Sequence, residues 1–313
     1  MILALAGGVG GAKLADGLAQ ILSPDELTIV VNTGDDFEHL GLNISPDLDT
    51  VMYTLAGLNN VEQGWGLAGE TWSFMAATKR LGGETWFNLG DQDVATHVER
   101  TRRLRAGESL SAITGDLCRK LGIRHRVAPM TDDIVRTMVE TDGGTLPFQD
   151  YFVRLACKPV LKRLEFAGAD SARPTPAFLE ALRSPATEAV VICPSNPFLS
   201  VLPILSLPGI KQALAERQAP VVAVSPIVGG QAVKGPAAKI MRELGMEVSP
   251  AAVAAFYGEL LDGLVIDRAD EALAEGWHGP AIHITDTIMR DRNDKATLAA
   301  ETLRFAAALE KRA

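Results

Sequence analysis

The start of the chain restricts the possible folds more than any other part. The run MILALAGG is apolar from its first residue and stops at glycines, which is typical of a strand buried on both faces. The run AKLADGLAQIL then puts Leu14, Leu18 and Ile21 on one face of a helix. A buried strand that passes through a glycine loop into a helix is the first unit of a parallel α/β sheet.

Further apolar runs repeat this strand pattern. They are LTIVV, TWFNLGD, EAVVICPSNP, APVVAVSPIVGG and DGLVIDRAD, and the helical patterns TVMYTLAGL and ETWSFMAATKRLGG lie between the first two. Strands that alternate with helices predict an α/β fold with a mostly parallel sheet covered by helices on both faces. The stretch DKATLAAETLRFAAALEKR adds an amphipathic helix at 294–312, for which we expect a packing role.

The segment 91–175 has a different pattern. The part ATHVERTRRLRAGESLSAITGDLCRKLG is helical, whereas VRTMVETDGGTLPFQDYFVR alternates and turns at Gly143 and Gly144 as a β-hairpin does. We therefore expect an inserted α+β region at 91–175 that covers the substrate. Residues 1–90 and 176–313 would together form the core that binds a nucleotide.

The charge balance and the cysteines argue against several classes of protein. The chain has 39 acidic residues against 30 Lys and Arg, a net charge of −9, which does not suit the phosphate backbone of a nucleic acid. Its 3 cysteines form neither a C-x-x-C pair nor an even disulfide framework, as expected of reduced cytosolic thiols. We see no basic leader segment and no apolar run near the roughly 18 residues of a membrane span. We therefore expect a cytoplasmic protein that binds neither nucleic acid nor membrane.

The glycine loop GGVGGAKL is a candidate site for a nucleotide phosphate. Gly8, Gly10 and Gly11 lie between a strand and a helix, where missing side chains would let backbone N–H groups approach an anion. Lys13 follows on the helix and could meet the same anion. The loop fits neither G-x-G-x-x-G nor a Walker A motif. The alternative is that the glycines only form a tight turn.

The stretch VNTGDDFEHLGLNISPDLDT places aspartates at the end of a buried strand. Asp35 and Asp36 follow the strand directly, and Asp47 and Asp49 lie at a predicted helix start. Ligands of open α/β sheets bind outside the carboxyl ends of the strands. Carboxylates suit Mg²⁺, which commonly also takes phosphate oxygens of the substrate. Helix capping by Asp47 or Asp49 is the alternative, but it accounts for only one of the acids.

The stretch NLGDQDVATHVERTRRLR repeats this arrangement. Asn88 lies at a predicted strand end and Asp91 follows it. Asp93 and His97 are one helical turn apart and could face one pocket, and Arg100 lies on the same helix. The alternatives are that Asp91 only caps a helix and that His97 is a buried residue with its hydrogen bonds satisfied. No Cys/His spacing indicates zinc, and no G-x-S-x-G motif indicates acyl transfer.

Two later strand ends supply small polar residues. ICPSNPFLS and VSPIVGGQAVKGPAAK place Ser195, Asn196 and Ser225 directly after apolar runs, and the second of them adds a flexible loop with Lys234. Loops at the carboxyl ends of parallel strands lie on one side of the sheet. These residues therefore predict the second half of one nucleotide-sized cleft.

With these motifs in order, the chain resembles the bacterial branch of the 2-phospho-L-lactate transferase family of coenzyme F420 biosynthesis. The resemblance extends over nearly the whole length, in GGVGGAKL, VNTGDD, SPDLDTVMYTLAG, WGLAGET, LGDQDVATHVERT, PMTDD, FQDYFVR, PSNP and VSPIVGG. It implies a Rossmann-like homodimer that uses Mg²⁺ and binds a guanosine diphosphate ester and the deazaflavin alcohol Fo (7,8-didemethyl-8-hydroxy-5-deazariboflavin). The enzyme would transfer the phospho-acyl group to the ribityl hydroxyl of Fo and release GMP.

The resemblance also assigns roles to residues. It implies that Asp49 contacts Fo, and Asn88 falls where archaeal relatives have an Fo-contacting lysine; Asp91 and His97 are further Fo candidates. Phosphoryl-transfer chemistry then favours Asp35 and Asp49 as Mg²⁺ ligands and catalytic residues. The nucleotide would be held by Gly8, Gly10, Gly11, Lys13, Ser195, Asn196, Ser225 and Pro226. The transferred acid, lactate, enolpyruvate or glycerate, stays open because these acids differ by a few atoms.

Two other functions stay open at this point. A nucleotide- or nucleotide-sugar-binding regulator of the same superfamily would share the glycine loop and sheet but would not need the Fo residues. A dinucleotide dehydrogenase lacks its G-x-G-x-x-G motif here. Trp65 and Trp72 either cover the deazaflavin ring or belong to the core of a helical lid.

Overall fold

The structure is a computed structural model that describes residues 1–309. In this part of the chain the strands form a seven-stranded sheet, a three-stranded sheet and two two-stranded hairpins. The strands are β1 (Ile2–Ala6), β2 (Leu27–Val31), β3 (Phe37–His39), β4 (Leu42–Ile44), β5 (Arg126–Pro129), β6 (Arg136–Thr141), β7 (Gly144–Pro147), β8 (Leu161–Ala167), β9 (Ala189–Ile192), β10 (Val221–Val224), β11 (Ile227–Val228), β12 (Gln231–Ala232), β13 (Gly263–Asp267) and β14 (Ala281–Thr285).

The seven-stranded sheet has the order β14-β13-β10-β9-β1-β2-β5, and every pair of neighbours in it is parallel. Strands β1, β2, β9, β10 and β13 are buried at every residue, which explains why their sequences are continuous apolar runs. Helices cover both faces. The prediction of an α/β, Rossmann-like fold with a mostly parallel sheet is confirmed.

The helices of the described region are α1 (Gly8–Ile21), α2 (Pro46–Leu55), α3 (Ser73–Arg80), α4 (Asp91–Arg105), α5 (Leu110–Lys120), α6 (Pro176–Arg183), α7 (Leu202–Leu205), α8 (Ile210–Ala215), α9 (Ala237–Glu243), α10 (Pro250–Tyr257) and α11 (Arg292–Ala308). The predicted C-terminal helix is therefore observed as far as Ala308, and residues 310–312 lie outside the described part. Within residues 1–309, no helix combines the length and apolar character needed to cross a membrane.

Two apolar cores lie on opposite faces of the sheet. Successive residues of β1 alternate between them, so that Leu3 and Leu5 join one core and Ala4 and Ala6 the other. On the second face α1 packs directly on α11. An ideal Cβ at Gly17 would lie 2.2 Å from the carbonyl oxygen of Lys295, so glycine permits this close contact.

The predicted strand at TWFNLGD is wrong, because residues 85–91 form no strand. Their aromatic side chains pack on the small β3–β4 hairpin instead. The ring of Phe87 lies 4.8 Å from that of Phe37, and the ring of Trp86 lies 5.0 Å from that of His39. This apolar run therefore buries its side chains against a hairpin and stays outside the parallel sheet.

The predicted hairpin in the middle segment is confirmed. Strands β6 and β7 pair antiparallel around a turn that ends at Gly144, which has φ of 115°, and β8 pairs with the other edge of β6. The segment 91–175 also contributes to the core, because β5 pairs with β2 at the edge of the main sheet. The inserted region and the sheet are therefore joined through one strand.

Candidate active site

A cleft of about 720 Å³ opens at the carboxyl ends of the central strands. Strand order reverses between β1 and β9, and in open α/β sheets this switch point is where ligands bind. The volume suits a small-molecule site. The predicted site residues that line the cleft are Gly8, Gly10, Lys13, Asp35, Asp49, Asn88, His97, Ser195, Asn196, Ser225 and Pro226.

The glycines of the loop after β1 make room for protein atoms. An ideal Cβ would lie 2.4 Å from Asp47 Oδ2 at Gly7, 2.2 Å from the Pro194 carbonyl oxygen at Gly10, and 2.4 Å from Ser195 Oγ at Gly11. Close packing of the loop therefore accounts for these glycines, and the binding of a phosphate by the loop stays a prediction. Gly11 does not line the cleft.

The first N–H groups of this loop are also already occupied. Gly7 N–H donates to Ser195 Oγ at 3.0 Å, and Gly8 N–H donates to Asp47 Oδ1 at 2.8 Å. Gly8 adopts φ of 61°, a conformation that favours glycine. The carboxylate of Asp47 therefore lies at the start of α1, where the sequence predicted a phosphate.

Asp35 and Asp47 form a buried carboxylate pair at the cleft. Asp47 Oδ2 accepts a hydrogen bond from Asn32 at 2.9 Å, whereas Asp35 Oδ1 is buried without a hydrogen-bond partner in the described structure. Burial and then the charge of Asp47 raise the pKa of Asp35 well above its usual value, and burial raises that of Asp47. A cation would stabilise both ionised forms, and their hard oxygens fit Mg²⁺.

Asp49 is in a different environment. Arg100, which is only 1% exposed, donates from Nη1 to Asp49 Oδ2 at 3.0 Å and from Nη2 to Asp49 Oδ1. This bidentate guanidinium contact occupies both carboxylate oxygens. The structure thus pairs Asp49 with Arg100 and sets Asp35 beside Asp47, and the assignment of Asp35 and Asp49 as Mg²⁺ ligands stays a prediction.

The prediction that Asp93 and His97 face one pocket is confirmed. His97 Nε2 lies 3.3 Å from Asp93 Oδ1, which also accepts a hydrogen bond of 2.6 Å from the Tyr53 hydroxyl, and His97 Nδ1 lies 3.7 Å from Asp49 Oδ2. Burial raises the pKa of Asp93, but its hydrogen bonds with His97 and Tyr53 and nearby positive charge outweigh burial and lower it. The oxygen and nitrogen ligand atoms of Asp49, Asp93 and His97 all lie within 4.8 Å of one another.

The predicted Fo-binding role of Asp91 does not agree with its position. Its carboxylate accepts hydrogen bonds from the Thr71 hydroxyl at 2.5 Å, from Ser73 N–H at 3.1 Å and from Phe74 N–H at 2.9 Å. Those N–H groups belong to the first turn of α3, which has no internal partners for them. Asp91 therefore stabilises a helix start and lies outside the cleft, whereas Asn88 lines it.

The loop after β9 offers a fixed donor on the other side of the cleft. Asn196 Oδ1 accepts from Phe198 N–H at 3.0 Å and from Leu199 N–H at 3.2 Å. These bonds orient the side chain, and its Nδ2 group is buried without a hydrogen-bond partner among the described residues. Asn196 can therefore donate to a ligand without losing an internal contact.

The remaining predicted nucleotide residues are mostly engaged with the backbone. Lys13 Nζ donates to the Met289 carbonyl oxygen at 2.6 Å, and burial followed by the charge of Lys234 lowers the pKa of Lys13. The hydroxyl of Ser225 contacts Ile227 N–H and the Ile227 carbonyl oxygen, at 3.1 and 3.0 Å. Both side chains still line the cleft.

Sequence reasoning found part of the aromatic wall of the cleft, because it expected aromatic contact with a flat ring near WGLAGETW and FQDYFVR, but it missed Trp86 and Phe87. Trp86, Phe87, Phe148 and Phe152 line the cleft, and the rings of Phe148 and Phe152 stack at 5.2 Å. The signal for the missed pair was present in TWFNLGD, where both residues lie. The four rings form an apolar part of the cleft that suits a flat ring.

Trp65 and Trp72 lie at the rim. They are 42% and 38% exposed, so the alternative that they are core residues is wrong. Their rings meet edge-on at 6.1 Å, but only Trp65 lines the cleft. Trp65 alone is therefore in a position to cover a bound ligand.

The fold and the cleft define a Rossmann-like α/β protein with a ligand site at the switch point of its sheet. A solved structure of a UPF0052 family member from Bacillus halodurans has the same fold, with a TM-score of 0.62 at 16% identity over 96% of this chain and 98% of that one. The sequence model of the family described as 2-phospho-L-lactate transferase CofD matches residues 2–301.

Relatives are similar over their full length. The phosphoenolpyruvate transferase of Kitasatospora aureofaciens is 44% identical, with 97% of each chain aligned. The 2-phospho-L-lactate transferase of Methanosarcina mazei is 39% identical over 95% of this chain and 98% of that protein. The chain therefore belongs to the CofD family of 2-phospho-L-lactate transferases, the family of coenzyme F420 biosynthesis that its motifs resemble, and it is a transferase enzyme.

Proposed function

We propose that the protein transfers a phosphorylated three-carbon acid from a guanosine diphosphate ester to the ribityl hydroxyl of Fo, with release of GMP, in coenzyme F420 biosynthesis. The observation that carries this proposal is that two unlike sets of side chains line one cleft. Buried carboxylates, Asn196 and the glycine loop form its polar part, and aromatic rings form its apolar part. Relatives named for phosphoenolpyruvate and for 2-phospho-L-lactate support an acid of this class.

The polar part fits a diphosphate that arrives with Mg²⁺. Asp35 and Asp47 would hold the metal, which neutralises charge on the phosphate oxygens when bound. Asn196 Nδ2 would donate to the same phosphates because its amide oxygen is already fixed by Phe198 and Leu199 N–H. Lys13 adds a cation at this end of the cleft. These contacts orient the donor and exclude water from it.

The apolar part fits the deazaflavin. Trp86, Phe87, Phe148 and Phe152 would contact the flat ring, and Asp49, which also lines the cleft, would accept a hydrogen bond from the ribityl chain. This arrangement brings the terminal hydroxyl of the acceptor towards the distal phosphorus for in-line attack. Positioning and charge stabilisation supply most of the rate in such a reaction.

The direct test is a product assay. Purified protein with Mg²⁺, Fo and the guanosine diphosphate ester of lactate, enolpyruvate or glycerate should yield GMP and Fo extended by the phosphorylated acid, identified by mass spectrometry. One ester should be preferred. No product from any ester, in a protein that binds GDP, would leave the nucleotide-binding regulator as the better explanation.

The aromatic wall makes a separate prediction for Fo binding. Adding Fo should quench tryptophan emission saturably, because Trp65 and Trp86 line the cleft, and the double variant Trp65→Phe/Trp86→Phe should lose most of that quenching. Trp72→Phe is the control, since Trp72 lies outside the cleft and its loss should leave the quenching in place. Full quenching in the double variant would show that the ring binds elsewhere.

A further inference from the structure

Arg100 has a contact geometry that the proposed reaction does not by itself explain. It lies on α4, is almost fully buried, and both of its terminal nitrogens donate to the two oxygens of Asp49. A planar guanidinium that binds a carboxylate in this way fixes the plane of the carboxylate as well as its charge. Nη1 also lies 3.3 Å from His97 Nδ1 and 3.4 Å from the Asn43 carbonyl oxygen, so the guanidinium itself is held in place.

The partner of Arg100 belongs to the cleft. Asp49 lies in the first turn of α2 and lines the cleft, whereas Arg100 does not line it. The ion pair therefore joins α2 to α4 from behind the cleft wall. Its two residues are separated by 51 positions in the sequence, so Asp49 obtains this orientation only from the docking of α4.

We propose that Arg100 is a positioning residue for the acceptor alcohol: it holds the Asp49 carboxylate in one orientation, so that Asp49 accepts a hydrogen bond from the acceptor. This inference rests on the proposed function, since the acceptor is taken to be Fo. In the proposed function the cation lies at the separate buried pair of Asp35 and Asp47.

A purely stabilising role explains the geometry less well. Burying an ion pair costs desolvation free energy, and apolar residues of similar volume often give equal or greater stability. Here the pair lies directly behind a ligand-lining surface, and a chain of polar contacts continues from His97 to Asp93 and Tyr53. Such a network fixes the position of a carboxylate at the cleft.

The experiment compares Arg100→Lys with Arg103→Lys in the full-length protein. Arg103 is a matched control on the same helix, since it is also mostly buried and contacts the carboxylates of Glu108 and Asp116, but it does not line or support the cleft. Lysine keeps the positive charge but lacks the two planar terminal nitrogens that contact both oxygens of Asp49. We expect Arg100→Lys to weaken Fo binding about tenfold or more in fluorescence titrations, and to leave GDP affinity in Mg²⁺ within about twofold. Arg103→Lys should change neither affinity.

A double-mutant cycle separates positioning from structural damage. If Arg100 acts through Asp49, adding Arg100→Lys to Asp49→Asn should weaken Fo binding no further than Asp49→Asn alone. Three outcomes would overturn the positioning role. Arg100→Lys could lose Fo and GDP affinity equally, it could keep its Fo affinity, or its effect could add to that of Asp49→Asn in the double variant. Thermal unfolding of each variant verifies that the protein is folded. If Asp49→Asn does not fold, the comparison of Arg100→Lys with Arg103→Lys decides whether Arg100 has the positioning role. Failure of the wild type to bind Fo would instead overturn the proposed function.

Discussion

Asp35→Asn is expected to lose most transferase activity and yet to be more stable than the wild type at neutral pH. Burial and the neighbouring Asp47 carboxylate raise the pKa of Asp35, so its ionised form is disfavoured in the folded protein. Asparagine keeps the size of the side chain and removes the charge. Because it also removes an oxygen ligand of the proposed Mg²⁺ site, turnover should fall about 100-fold or more.

The stability effect has a definite sign with pH. The pKa of Asp35 in the folded state lies above its ordinary value of 3.8, so its favourable contribution is present below that value and is lost as pH rises through the folded-state pKa. Asparagine does not titrate. The free energy of unfolding of the variant should therefore exceed that of the wild type by a margin that grows as pH rises from about 4 towards neutral. Urea unfolding in metal-free buffer at several pH values measures this margin.

Asp36 provides the matched control for this variant. It is adjacent in sequence, and burial raises its pKa to about 7, but it accepts a hydrogen bond of 2.7 Å from the Ser45 hydroxyl and does not line the cleft. Asp36→Asn should gain stability in the same direction and keep turnover within a few-fold. An Asp35→Asn enzyme with near-normal turnover in saturating Mg²⁺ would rule out the proposed metal site.

The sequence predicts the parts of this molecule that depend on local composition. A strand buried on both faces must be apolar at successive residues, so β1, β2, β9, β10 and β13 could be identified from single runs. Residues that follow such strands must lie at one edge of the sheet. For that reason the amino-acid sequence alone was enough to assign the Asp35 loop and the Ser195 loop to one cleft.

The errors concern contacts that depend on docking between distant elements. The apolar run TWFNLGD has the composition of a strand, but Phe37 and His39 on a hairpin give its aromatic residues another place to pack. In the same way, four aspartates in one stretch could not be told apart until α4 placed Arg100 against Asp49 and the glycine loop placed Gly8 N–H against Asp47. Sequence spacing identifies the carboxylates, and tertiary contacts assign their roles.

Gly10→Ala is expected to destabilise the fold by about 1–3 kcal/mol or more and to weaken nucleotide binding. The added Cβ would lie 2.2 Å from the carbonyl oxygen of Pro194, a backbone atom that cannot rotate away. The loop after β9 would have to shift, and with it the Asn196 amide that we propose as a phosphate donor. Chemical denaturation gives the change in unfolding free energy, and calorimetric titration with GDP gives the change in affinity.

Two other glycines separate these effects. At Gly17 the added Cβ would also lie 2.2 Å from a backbone carbonyl oxygen, that of Lys295, but this contact joins α1 to α11 away from the cleft. Gly17→Ala should therefore lose a similar amount of stability and keep its GDP affinity. Gly115 on α5 has room for a Cβ, with the nearest atom at 3.9 Å, so Gly115→Ala should be as stable as the wild type or up to about 1 kcal/mol more stable. If Gly10→Ala matched Gly115→Ala in stability while losing GDP affinity, Gly10 would serve the ligand directly and packing against Pro194 would not be the reason for glycine there.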